Sequence, residues 1–298
     1  MPSPAHEAFL ARLPAGGATP EAPLSPEEVT ALRAQEAATP VPSLPDVDVA
    51  AIDAGGVPSL WVGQAGAAPS RTILYLHGGG YIFLTVARFV PVLAELSRAA
   101  QARCLGVDYR RAPEHPFPAP VEDAVAAYKW LLAEGAAPSS IAIVGDSAGG
   151  GLVLATLLAL RDAGLPLPAA GACVSPWTDL KVTGASVETV DDPVVSGAAL
   201  RMMATTYLAG ADAGDPYASP LYGDLTGLPP LHVQVGTREI LLDDSRSLVA
   251  HASRNGVAVT SLEHEGVAHM WMFNDPQMPE SQAAFEAIGE FLKVHIPR

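Results

Sequence analysis

Apolar residues recur along this chain in two alternating rhythms. Short runs at about 47–53, 57–63, 72–77, 103–108, 141–146, 170–175, 231–236 and 257–264 read as β-strands. The middle ones, such as "TILYLH" and "IAIVGD", are nearly all apolar, as strands covered on both faces must be. Between the later runs, the stretches 86–100, 120–135, 148–164, 243–256 and 280–295 space their apolar residues three or four apart, and several stop at Gly, which predicts helices. Strands alternating with helices predict an α/β fold. Its sheet should be mostly parallel, flanked by helices on both faces and opened by an antiparallel N-terminal pair.

Two segments break the alternation. Residues 1–45 are rich in Pro and Ala around one helical stretch at 25–38, and residues 180–220 hold another, "SGAALRMMATTYLAG". Together they are expected to form a helical cap. The chain then divides into an N-terminal cap segment (1–45), a first part of the core (46–179), a cap insertion (180–220) and a second part of the core (221–298). Met202, Met203 and Tyr207 on the inserted helix are candidate substrate-binding residues, because adaptable Met and aromatic side chains imply a surface packed on something.

Composition narrows the function classes. With 49% hydrophobic and 16% charged residues in 298, the chain can bury a large core. A formal charge of −15 argues against nucleic acid or anionic lipid as the main partner, since both need a basic surface. The start lacks a basic stretch followed by an apolar one, and the most apolar segment, "LVLATLLAL" at 152–160, is too short to span a bilayer. A cytoplasmic protein without membrane insertion is expected. Cys104 and Cys173 sit inside strand-like apolar runs and read as buried small hydrophobes, with no disulfide framework or metal site suggested.

The candidate chemistry begins at "IAIVGDSAGGG", a buried strand followed by Gly145-Asp146-Ser147-Ala148-Gly149 and then a helix. A G-x-S-x-G elbow requires this setting, because a Ser on a sharp strand-to-helix turn needs small neighbours. Serine is a weak nucleophile until an imidazole takes its proton and a carboxylate orients that imidazole. Of the histidines after Ser147, His232 lies in a strand, His251 in a helix, His264 on a strand and His295 near the C-terminus. His269 follows a strand and suits the base. For the acid, Glu239 lies just past the strand at 231–236 and is favoured. Asp243 is the alternative, although it and Asp244 also read as residues attracted to a helix N-terminus. "YLHGGGYI" at 75–82 supplies backbone that can approach a developing oxyanion. Gly78, Gly79 and Ala148 are the candidate oxyanion-hole donors, with Gly80 assigned to the turn and His77 to holding the loop.

Five motifs, "HGGGY" at 77–81, "DYRRAPEHPFPAPVEDA" at 108–124, "GDSAGG" at 145–150, "SPWTDL" at 175–180 and the Glu239/His269 pair, resemble the hormone-sensitive-lipase family of α/β-hydrolases, the bacterial family IV carboxylesterases. The resemblance runs from about residue 70 to the C-terminus. It implies an eight-stranded sheet, a cap built from the N-terminus and an insertion after the sixth strand, and hydrolysis of short-to-medium acyl esters without a cofactor. It also makes a homodimer an expectation. Most members have Asp-Pro-Leu in the acid loop where this chain has Glu239-Ile240-Leu241, so the acid carries over to a Glu. Asp108, Arg110 and Glu114 are read as structural ion-pair partners. The alternatives are a lactone hydrolase or amidase using the same triad, and a non-catalytic ligand-binding protein on this fold, as in the plant gibberellin receptors.

Overall fold

The computed structural model describes residues 2–13, 24–38, 43–66 and 70–296. Of the expected cap segment 1–45, residues 1, 14–23 and 39–42 lie outside the described residues. Eight strands form one sheet: β1 (Val47–Asp53), β2 (Pro58–Gln64), β3 (Arg71–Leu76), β4 (Ala102–Val107), β5 (Ile141–Asp146), β6 (Ala170–Val174), β7 (Leu231–Arg238) and β8 (Val259–Ala268). Their spatial order is β1-β2-β4-β3-β5-β6-β7-β8. β1 and β2 pair antiparallel, β2 meets β4 antiparallel, and every remaining pair is parallel.

Alternation along the strands explains the layering. Ile73 and Tyr75 of β3, with Ala142 and Val144 of β5, face one apolar cluster, while Leu74, Leu76, Ile141 and Ile143 face another. The first cluster is closed by α3 (Val90–Ala100) and α10 (Pro279–His295). The second is closed by α4 (Ala119–Ala133), α5 (Ala148–Asp162) and α8 (Leu242–Arg254). Strands covered on both faces have no side to expose to water, which is why β5 and β6 are apolar almost throughout, while the buried His232 and Gln234 of β7 hydrogen-bond to each other. β1, at the sheet edge, is exposed along nearly its whole length.

The segments outside this alternation contain α1 (Pro4–Leu10), α2 (Pro26–Ala38), α6 (Ser186–Thr189) and α7 (Gly197–Leu208). Periodicity does not predict the short α1. A local signal for it exists in Ser3, whose hydroxyl accepts from the His6 N–H ahead of a Pro at the first helical position. α9 (Trp271–Asn274) is a single turn after β8. Cys104 and Cys173 are buried free thiols in β4 and β6.

Five chain segments leave the same edge of the parallel strands. His77, Ser147, Ser175, Glu239 and His269 are each the first residue beyond β3, β5, β6, β7 and β8 respectively. The carboxyl ends of parallel strands are where open α/β sheets gather ligand-facing groups. An irregularity in the β7–β8 pairing between Gly236 and Arg238 sets Arg238 opposite Ala268, which brings the next residues of both strands side by side.

Candidate active site

Ser147 occupies a backbone conformation of φ 52°, ψ −122° at the start of α5, strained for a residue with a Cβ. Its neighbours overdetermine that strain. The Ser147 N–H donates to Val174 O (2.9 Å), and its own carbonyl accepts from Gly151 N–H (3.1 Å) and Trp177 N–H (2.9 Å). A Cβ on Gly149 would lie 2.0 Å from Leu76 O, and one on Gly145 would lie 2.4 Å from Gly149 O. The small residues on either side of the serine are therefore a packing requirement between β3, β5 and α5.

His269 Nε2 lies 3.0 Å from Ser147 Oγ, and His269 Nδ1 lies 2.6 Å from Glu239 Oε2. A carboxylate only accepts, so Nδ1 carries the proton and Nε2 offers its lone pair to the serine hydroxyl. Burial lowers the basicity of His269, but the hydrogen bond and charge of Glu239, followed by the charges of Asp192 and Asp146, outweigh it and raise its pKa above the ordinary 6.5. Glu239 is completely buried and His269 is 4% exposed, so this pair is shielded from water. The other oxygen of Glu239 accepts from Ser175 Oγ–H (2.8 Å) and Gly236 N–H (2.5 Å). These two donors fix a side chain one methylene longer than Asp.

Asp243 is engaged elsewhere. Its carboxylate accepts from Ser186 N–H (2.8 Å) in α6, so the structure does not bring the alternative acid to the imidazole. Asp244 accepts from the N–H groups of Thr178 (2.7 Å) and Asp179 (2.9 Å), and burial pushes its pKa up to about 7. Both aspartates tie loops to the start of α8.

The Gly-rich loop departs from expectation at one residue. Gly78 N–H donates to Asp146 Oδ1 (3.0 Å), which also accepts from Tyr75 O–H (2.6 Å), so that N–H is committed within the protein. Gly79 and Gly80, with φ of 111° and 62°, have N–H groups that donate to no acceptor among the described residues. Gly80, assigned to the turn, also lets the inserted helix approach, since a Cβ there would lie 2.1 Å from Met203 Sδ. Asp146 is partly buried, and the desolvation it suffers raises its pKa to about 6 against the opposing pull of Tyr75, His269 and Gly78. His77 holds the loop as expected: Nδ1 lies 2.7 Å from Gly78 O, and the ring stacks on Tyr109 at 4.3 Å. Burial lowers its pKa to about 4.

The ion pairs of the Pro-stiffened loop are also in place. Arg110 meets Asp123 (2.8 Å) and Glu122 (3.0 Å), Glu114 meets Arg33 (2.6 Å), and Asp108 meets Arg111 (3.9 Å) while also accepting from Val86 N–H (3.3 Å).

A cavity of about 320 Å³ opens over Ser147 and His269. Of the three residues expected to line it from the inserted helix, Met203 does so. Tyr207 instead stacks on Tyr81 at 3.8 Å, and Met202 is buried in the core beneath α7. Leu200, one turn before Met203, joins the wall with Val194, Val195 and Trp177. Sequence reading missed Ser175, Asp146 and Asp192. Asp192 accepts from Ile240 N–H (3.0 Å) and Val194 N–H (2.8 Å), linking the insertion to the Glu239 loop, and burial raises its pKa to about 6. A Ser directly beyond a buried strand was the available signal for Ser175. For Asp192, 47 residues before Glu239, no local signal exists.

Residues 73–273 match the profile of a family described as having an alpha/beta hydrolase fold. The chain is 46% identical over 272 residues to an acetyl-hydrolase of Streptomyces hygroscopicus, covering 91% of this chain and 90% of that protein. It is 34% identical over 253 residues to an esterase of Acinetobacter venetianus, covering 84% and 83%. Among solved structures it is similar to an esterase from the bacterial hormone-sensitive lipase family, with a TM-score of 0.90, 43% identity and full coverage of both chains.

Proposed function

The chain belongs to the α/β-hydrolase family, in its bacterial hormone-sensitive-lipase branch, and we propose that it is a serine carboxylesterase working through an acyl-enzyme. The observation that carries this reading is the continuous relay from Ser147 Oγ through His269 to Glu239, at 3.0 and 2.6 Å, on a strained elbow at a helix start.

Each step follows from that arrangement. An ester carbonyl enters the cavity above Ser147, and His269 Nε2 takes the hydroxyl proton as Oγ attacks the carbonyl carbon. Glu239 stabilises the imidazolium without taking its proton. The developing oxyanion meets Ala148 N–H at the N-terminus of α5, together with the uncommitted N–H groups of Gly79 and Gly80. Gly78 serves this hole indirectly, because its bond to Asp146 sets the path of the loop. His269 then protonates the leaving alcohol, and a water molecule reverses the sequence to release the acid. These residues' own functional groups suffice for the reaction as written.

A cavity near the lower end of the size range for ligand sites favours short-to-medium acyl groups. α2 and α7, which supply Leu32, Leu200 and Met203 to its wall, act as the cap. No helix among the described residues is long and apolar enough to cross a membrane. The cytoplasm as location and a homodimer as assembly belong to this reading.

The test is steady-state hydrolysis of p-nitrophenyl esters from acetate to palmitate by the wild type and Ser147→Ala. Turnover that peaks at short or medium chains and vanishes in the variant is expected. Turnover retained by a folded Ser147→Ala protein would remove the serine from its role.

A further inference from the structure

The cavity over Ser147 is apolar almost throughout, with Leu32, Phe83, Trp177, Leu200, Met203 and Phe273 among its walls. Apart from Ser147 and His269, the polar side chains lining it are Asn274 and Glu36, and Glu36 is the single carboxylate. It comes from α2, far from the catalytic loops in sequence.

Glu36 is fixed in place rather than free to swing away. Its two carboxylate oxygens accept from Leu84 N–H at 3.1 and 3.4 Å, and Leu84 itself sits at φ 63°. One turn earlier on the same helix, Arg33 donates to Ile82 O (2.8 and 3.1 Å) and Ala112 O (2.5 Å) and pairs with Glu114 at 2.6 Å. Arg33 thereby pins α2 against the loop that follows the glycines. Its guanidinium pairs with Glu114 and lies outside ion-pair distance of Glu36. Among the described residues, Glu36 has no ion-pair partner. A carboxylate offers about four lone-pair positions, and one backbone N–H leaves most of them open toward the cavity.

We propose that Glu36 is a specificity-determining residue: the preferred esters carry a protonated amine or another hydrogen-bond donor on the part of the molecule remote from the carbonyl, and esters with a carboxylate there are rejected. The assignment rests on the esterase reading above. A fixed negative charge in a partly desolvated apolar wall attracts a cation and repels an anion far more strongly than the same charge in water. The contact with Leu84 alone does not require a carboxylate here, because a neutral amide oxygen can also accept that N–H, though more weakly.

The experiment compares kcat/KM within two matched series. One places an amino, methyl or carboxylate group at the end of the acyl chain, and the other places it at the end of the alcohol. Wild type, Glu36→Gln and Glu36→Lys are assayed, each checked for native circular dichroism. Gln keeps an oxygen for Leu84 N–H while removing the charge. In at least one series the wild type should favour the amino ester over the carboxylate ester by about tenfold or more. That ratio should fall to near one in Glu36→Gln and invert in Glu36→Lys.

A wild-type ratio near one in both series overturns the assignment. So does a ratio that survives in the variants, since each variant alters a net charge of −15 only slightly and a surviving preference would belong to the whole molecule's field. The methyl-ended esters keep the two readings apart. If the wild type hydrolyses them without charge discrimination, the Glu36 assignment alone fails, whereas no hydrolysis of any ester removes the esterase reading and the Glu36 assignment with it.

Discussion

The floor of the site and its roof are built on different terms. On the floor, every reacting group is held by at least two independent constraints. Ser147 is fixed by three backbone hydrogen bonds and by glycines on both sides, and Glu239 by Ser175, Gly236 and His269. The roof is held mainly by apolar packing: Arg33, Glu36 and the buried Val29 hold α2, and α7 is held by its buried face, the Tyr207–Tyr81 stack, the bond from Phe117 N–H to Tyr207 O (2.8 Å) and the close passage of Met203 over Gly80. Reaction chemistry tolerates displacements well below an ångström, whereas an apolar wall need only exclude water and present a shape. The floor therefore decides whether a reaction occurs, and the roof decides which ester it occurs on.

Substitutions test that division in descending order of effect. Ser147→Ala should lower kcat by about 10⁶-fold with an unchanged melting temperature. Glu239→Gln should lower kcat by about 10⁴-fold, as removal of the orienting carboxylate does in serine proteases, whereas Asp243→Asn should stay within about threefold of the wild type. The reverse ranking in steady-state kinetics would transfer the acid role to Asp243. Ser175→Ala withdraws one of the two donors on the far oxygen of Glu239, and a loss of about tenfold in kcat is expected. A rise in KM larger than the fall in kcat would show instead that Ser175 belongs to the roof's function.

Met203→Ala should leave kcat on acetate nearly unchanged while moving the preferred acyl length upward, by about 1–3 kcal/mol per methylene accommodated. A profile of rate against chain length that does not move would show that Met203 sets no wall.

The pH profile sharpens the same contrast. His269 must be neutral to accept the serine proton, and although burial lowers its pKa, Glu239 and then Asp192 and Asp146 raise it above 6.5 overall. kcat/KM should therefore fall as pH drops through a midpoint above 6.5. Glu239→Gln keeps the burial and removes the largest opposing influence, so in that variant the midpoint should move to lower pH. A midpoint that stays put or rises would contradict the Glu239–His269 coupling.

Local pattern was enough for inner strands such as β5 and β6, because a strand buried on both faces has no choice but to be apolar, whereas the exposed edge strands β1 and β8 were legible as short runs that follow Pro45 and Gly256. It was also enough for the elbow, since the strand, Gly145-Asp146-Ser147-Ala148-Gly149 and the helix follow one another in sequence, although the Leu76 carbonyl that excludes a Cβ on Gly149 comes from β3. His269 was legible by elimination, every other candidate lying within a strand or helix or at the chain end. Gly78 was not: its N–H is taken by Asp146, 68 residues away, and nothing in "HGGGY" distinguishes the first glycine from the next two. The roof was legible only in outline. Met203 and Tyr207 lie on one face of α7, and what separates them is the position along the helix: Met203 passes over Gly80 at the cavity, while Tyr207, one turn on, meets Tyr81 and Phe117.

By itself, the order of residues determined the layered α/β scaffold, the serine elbow and the identity of the base, since each depends on steric and periodic rules acting over a few residues. Only the tertiary structure decided that Glu239 rather than Asp243 meets the imidazole, that Gly78 is committed to Asp146, and that a carboxylate from α2 reaches the cavity. Those outcomes depend on the distances between side chains that the fold brings together from remote parts of the chain, and no local rule encodes them.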